Sequence, residues 1–227
     1  GVGATVATNK ISNTIRSYIS NSQVNTDDTK TTSGNVTLTT TSNSDILAIG
    51  IAASASITSS TGNSFSLGIN GAVSSNTIKN SVGAFVTNDS EVNVKANPVA
   101  TETCSLTISA TDTSRIQAFS GGSGFSLAAG SSDSAAVSVG LSLAYNTINN
   151  DINAYIDDSV ITSGNTIGLS ATSDATILSA AFTGSVAAST TVSAAGTGNE
   201  TKNEVTNTTQ AYINNNANVD STGSISL

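Results

Sequence analysis

One eleven-residue phrase occurs four times along the chain. It reads NKISNTIRSYI at 9–19, NTIKNSVGAFV at 76–86, NTINNDINAYI at 146–156 and NEVTNTTQAYI at 203–213. The leading residues Asn9, Asn76, Asn146 and Asn203 stand 67, 70 and 57 residues apart. A second phrase keeps step with the first: VTLTTTSNSDI at 36–46, LTISATDTSRI at 106–116 and IGLSATSDATI at 167–177, with a fourth copy beginning at Ile225. Two phrases recurring in one order make chance similarity unacceptable and point to a repeat architecture, in which each unit buries its apolar face against the next. The 227 residues divide into one elongated domain, 1–227, with units of about 1–67, 68–137, 138–194 and a partial 195–227.

Within the phrase the apolar positions alternate. Ile148, Ile152, Ala154 and Ile156 fall on one side; Thr147, Asp151, Asn153 and Tyr155 fall on the other. That period of two predicts a half-buried strand. Val137, Val139, Leu141 and Leu143 form a similar run, as do Leu47, Ile49, Ile51, Ala53 and Ala55, and the same reading buries both. No window carries a helical stripe, and Gly-Asn, Ser-Gly and Thr-Gly pairs punctuate the runs as turns. GGSGF at 121–125 reads as one more turn. The class is all-β.

A β-solenoid (parallel β-helix) of degenerate 57–70-residue repeats fits the small Ala, Ser and Val core and an aromatic content of only 4%. Three coils of about twenty residues per repeat would be a natural division. A layered β-sandwich filament subunit is the competing architecture. The spare length of the first two repeats lies in NTDDTKTTSGN (25–35) and NVKANPVATETC (93–104), which read as loop insertions on one side.

Asn13, Asn80, Asn150 and Asn207 fall on the apolar side of the alternation. A buried amide brings donors and acceptors that require partners. Together with Asn9, Asn76, Asn146 and Asn203 these residues read as structural amides, bonding a turn or the next copy. The recurring Tyr18, Tyr155 and Tyr212 face outward, and a binding strip of aromatics is the minor alternative.

Composition narrows the chemistry. There is no His, Trp or Met, and one cysteine, Cys104, which reads as a small buried residue. Without His the usual general base and most transition-metal sites are missing, and no nucleophile motif with partners appears. Catalytic, cofactor and metal residues are therefore expected to be none. Calcium on loop carboxylates is the one cofactor to consider, at Asp27-Asp28, Asp157-Asp158, or Asp89 with Glu91, although the spacing matches no calcium loop. Asn35, Asn88, Asn199 and Asn207 begin glycosylation sequons of the kind that an Asn-, Ser- and Thr-rich chain produces by chance. Net charge is −8 with seven scattered Lys and Arg, which disfavours nucleic acid and anionic membranes. No apolar run is long enough to span a bilayer as a helix. Any export signal is expected to lie outside this chain or to have been cleaved.

The order N-x-I-x-N-x-I-x-A-Y-I, then G-x-V-x-L-x-A-T-x-x-A-x-I, resembles the repeat regions of very large bacterial surface proteins: haemagglutinin-like adhesins and leukotoxin-type exoproteins. The likeness covers nearly the whole chain. It implies an exported, elongated β scaffold at the cell surface, with no catalytic residues to carry over. The expected function is structural and adhesive: copies of the chain or neighbouring repeats join head to tail as a filament, sheath or adhesin stalk, in contact with a cell surface or glycan. The rival readings are a carbohydrate-binding or carbohydrate-cleaving β-helix, or the scaffold region of a secreted toxin.

Overall fold

The computed structural model describes residues 1–24, 34–94 and 104–227. The two proposed insertions, with Asp27-Asp28, lie largely outside them. Every element among the described residues is a strand. The first turn of chain holds β1 (Val2–Ile11), β2 (Thr14–Ser20), β3 (Gln23–Val24) and β4 (Val36–Ser60). The second holds β5 (Ser64–Ile78), β6 (Ser81–Thr87), β7 (Ser90–Val94) and β8 (Leu106–Gly130). The third holds β9 (Ser134–Ile148), β10 (Asp151–Asp157), β11 (Ser159–Ser163) and β12 (Ile167–Ser189). The last holds β13 (Val192–Val205), β14 (Thr208–Asn214), β15 (Asn218–Ser221) and β16 (Ile225–Ser226).

Each strand pairs in parallel with its counterpart one repeat away. The four sheets run β1-β5-β9-β13, β2-β6-β10-β14, β3-β7-β11-β15 and β4-β8-β12-β16. Repeat and coil therefore coincide: one repeat makes one large coil, not three small ones. The register follows the phrases, so Asn9 sits beside Asn76, then Asn146, then Asn203. The shortening of the third repeat to 57 residues falls mostly between β11 and β12 and partly at the fin tip, where β12 and β13 are shorter than β8 and β9, and leaves the register intact.

Each coil has a broad lobe and a thin fin. The lobe is wrapped by the β2- and β3-type strands and the first third of the β4 type. Its core is aliphatic, with Val82, Ile108, Ile152, Ile156, Ile161 and Ile167 among its fully buried members. Each such side chain contributes about 1.5–3 kcal/mol on burial. The corner between the β2- and β3-type strands is turned by Asn21, Asn88-Asp89, Asp158 and Asn215-Asn216, all with positive φ. Asn and Asp tolerate that left-handed conformation better than other side chains, which accounts for their recurrence there. A smaller cluster of Ile46, Ile78, Ile116 and Ile148 forms the neck.

The fin reverses the expected sidedness. β4 runs from lobe to fin tip, turns at 61–63, and returns as β5 against its own inner face. Hydroxyls cross the gap to the opposite main chain: Thr5 Oγ1 donates to the Ile51 carbonyl (2.7 Å), Ser66 Oγ to Ser56 (2.9 Å) and Ser120 Oγ to Ala72 (3.1 Å). Ordinary stacked sheets stand about 10 Å apart. A gap that one serine bridges admits only Gly, Ala, Ser, Thr and an occasional Asn, so the branched residues are turned out. Leu47, Ile49, Ile51 and Ile57 are 62%, 59%, 63% and 70% exposed, while Ala48, Gly50 and Ala52 are buried. GGSGF is likewise no turn. It lies inside β8, where a Cβ on Gly122 would fall on Asn70 Oδ1 and one on Gly124 would come within 2.5 Å of Asn70 Nδ2.

Candidate functional site

Four ladders run along the stack, and they hold all eight asparagines read from the sequence as structural amides. In the first, Asn9 Nδ2 donates to Asn76 Oδ1 (2.8 Å), Asn76 Nδ2 to Asn146 Oδ1 (2.8 Å) and Asn146 Nδ2 to Asn203 Oδ1 (2.9 Å). These lie at the root of the fin, where Asn76 and Asn146 are buried.

The second ladder, between lobe and neck, ties side chain to main chain. The β1- and β2-type strands break at this point, and the amide oxygen takes the N–H of the preceding copy: Asn13 N to Asn80 Oδ1 (3.2 Å), Asn80 N to Asn150 Oδ1 (2.7 Å), Asn150 N to Asn207 Oδ1 (2.9 Å). The amide nitrogens turn inward. Asn80 Nδ2 reaches Ser44 Oγ (3.0 Å) and Asp112 Oδ1 (3.1 Å); Asn150 Nδ2 reaches Asp112 Oδ2 (2.7 Å) and Ser114 Oγ (2.9 Å). Asp112 is fully buried and also accepts from Ser114 Oγ (2.7 Å). Its neighbours in register are Ser42 and Ser173, so one coil carries a carboxylate where the others carry a hydroxyl. The sequence reading did not single out this residue, although its break from the Ser column was visible.

The third ladder is aromatic. Tyr18, Phe85, Tyr155 and Tyr212 stack with centroids 5.3, 4.7 and 5.0 Å apart and planes within 9°. Burial, then Tyr212 and Asp157, holds the Tyr155 phenol above its ordinary 10.0, with Arg16 pulling the other way; burial, then Asp157 and Asp151, raises Tyr212. A shallow groove beside the ladder is lined by Arg16, Phe85, Asp151, Asn153, Tyr155 and Tyr212. The interior rings present edges to it, because their faces are covered by one another. Tyr18 and Tyr212, at the ends of the ladder, each stack on one ring only.

The fourth ladder is the left-handed corner. Asn88 Nδ2 donates to Ser20 Oγ (2.8 Å) and Asn215 Nδ2 to Asp157 Oδ1 (2.7 Å). Asp89 and Asp158 are here because the corner favours their backbone conformation. Among the described residues no three His, Cys, Asp or Glu side chains gather as a metal-holding group. Cys104 is buried in the lobe core, away from solvent. Comparison with protein-family models, with curated proteins and with solved structures gives no match. No described helix is long and apolar enough to cross a membrane.

Proposed function

We propose that the chain is a structural, non-catalytic scaffold of the bacterial cell surface, which continues end to end as a filament, sheath or adhesin stalk. The observation that carries this reading is the unbroken register: all four sheets repeat in step, and the two asparagine ladders pass from coil to coil without a change of partner type. A stack of parallel strands grows by adding a further coil, from this chain or another, to the coil before it, as β8 adds to β4 and β12 to β8. A row of unpaired main-chain donors and acceptors recruits another strand. The polar, ladder-bearing lobe surface then forms the side of the rod. The adhesive part of the reading rests on the family resemblance.

Electron microscopy over a dilution series, with reductant present, tests it. Rods that lengthen with concentration at constant width are the expected result. Particles one chain long at every concentration would overturn end-to-end assembly by this chain.

A further inference from the structure

The outer face of the fin on the β4 side is a broad, largely apolar surface. It spans Leu47–Ile57, Gln117–Leu127 and Leu178–Ala188 in three paired strands. Ten residue steps of about 3.3 Å and three strands about 4.8 Å apart give a footprint of about 500 Å². That is at the upper end of the apolar patches monomers usually expose. Charge avoids it. Of seven Lys and Arg and fifteen Asp and Glu, only Asp133, Glu200 and Lys202 lie within 46–76, 116–146 and 177–203. Asp133 is at a fin tip, and Glu200 and Lys202 are in register with Leu143 and Tyr145 of the opposite face. Asp45 and Arg115 mark the border of the patch without entering it.

We propose that this face pairs with the same face of a second copy of the chain, side by side rather than end to end. Three observations select that occupant. Two such footprints bury about 1,000 Å² in total, the lower bound for a specific interface. A chain of net charge −8 repels its own kind, and this is a face where two copies meet without opposing charges. A hydrocarbon interior fits less well, because the fin's end strands carry open edges and its interior holds Ser54 Oγ, Asn70 Oδ1 and Ser142 Oγ without hydrogen-bond partners. Another sheet covers the face and leaves those edges in water. The pairing is independent of end-to-end assembly, and each added coil would lengthen the shared face and tighten it by multivalency.

Small-angle scattering from low to several hundred micromolar separates the two, since face pairing doubles the thickness while end stacking increases the length. The expected result is a twofold rise in cross-sectional mass, lost in Ile51→Glu and in Val186→Glu but retained in Val192→Glu on the opposite face. Circular dichroism melts establish that each variant is folded. Thickening without lengthening supports the face pair and sinks the filament reading; lengthening alone does the reverse. Thickening that survives Ile51→Glu and Val186→Glu overturns the assigned face. A single-chain cross-section throughout overturns the pair, and uptake onto neutral phosphatidylcholine vesicles would then identify lipid as the occupant.

Discussion

Lobe and fin are made from the same strands and solve opposite problems. β4 enters the lobe with Leu38 pointing inward and Thr39 outward, and enters the fin with Ala48 inward and Ile49 outward. The alternation never slips. What changes is which residue class is given to the inner side. In the lobe two further sheets hold the walls apart, and the space fills with Ile, Leu and Val. In the fin only two walls remain, and hydroxyl-to-carbonyl bonds draw them together until, an occasional Asn apart, nothing branched beyond Thr fits. Hydrophobic burial dominates the first region, and close main-chain approach the second.

The sharpest test of that contrast is one truncation made in each place. Ile152→Ala opens a cavity in the lobe core and is expected to lower stability by about 2–5 kcal/mol, read from denaturant melts. Ile51→Ala, at equal chemistry on the fin exterior, should change it by no more than about 0.5 kcal/mol when measured at low concentration. Equal losses would mean that the fin face is covered within the single chain.

A smaller effect separates the two sides of the fin. Gly122→Ala places a methyl on Asn70 and should cost about 1–3 kcal/mol. Gly184→Ala meets nothing within 4 Å and should be neutral or stabilise by up to about 1 kcal/mol. Adding Asn70→Gly to Gly122→Ala should recover part of the loss, because coil three does without that asparagine. A shortfall confined to neither glycine would argue for a wider gap between the walls.

The smallest effect belongs to the lobe surface. The Tyr155 and Tyr212 phenols are held above their ordinary value chiefly by burial. A raised folded-state pKa means that the neutral form is the one the fold prefers. The stabilisation is whole below about pH 10 and is lost as pH rises through the folded value. Melting temperature should therefore fall above pH 10, less steeply in Tyr155→Phe, which copies the residue coil two already has at Phe85. Identical slopes for the two proteins would remove the ladder from the account.

Most of this fold was legible, and for a definite reason. Stacked coils place like on like, so the phrase that carries Asn9, Asn76, Asn146 and Asn203 is read directly as a column. Strand class, parallel repetition and the inward Asn13, Asn80, Asn150 and Asn207 follow from spacing and alternation alone. Coil size did not follow, because a sixty-residue repeat is compatible with one long circuit or several short ones, and only pairing decides. The fin reverses the expectation because apolar residues at alternate positions ordinarily mark the buried side, and the gap between its walls is too narrow to hold them. A subtler signal was present in register. The column Ile51, Gly121, Phe182 varies from hydrogen to a phenyl ring, with the Phe182 ring lying over Gly121, as an outer face with room above it allows, whereas Ser54, Gly124, Ser185 stays small, as a cramped interior must. Uniform size, more than hydrophobicity, marks the inside here. Asp112 escaped notice since a single acid among serines carries no spacing of its own.

The asparagine ladder at the fin root has a further consequence. Every amide in it points its nitrogen toward the later coil and its oxygen toward the earlier one, and the main-chain bonds to Asn80, Asn150 and Asn207 run the same way. The rod is thus a vector. At any break between coils one side offers amide nitrogen and the other amide oxygen, so carbonyl would meet carbonyl in a join made head to head. Any polymer built on this stack inherits an arrow, with two chemically distinct tips that need not grow at one rate.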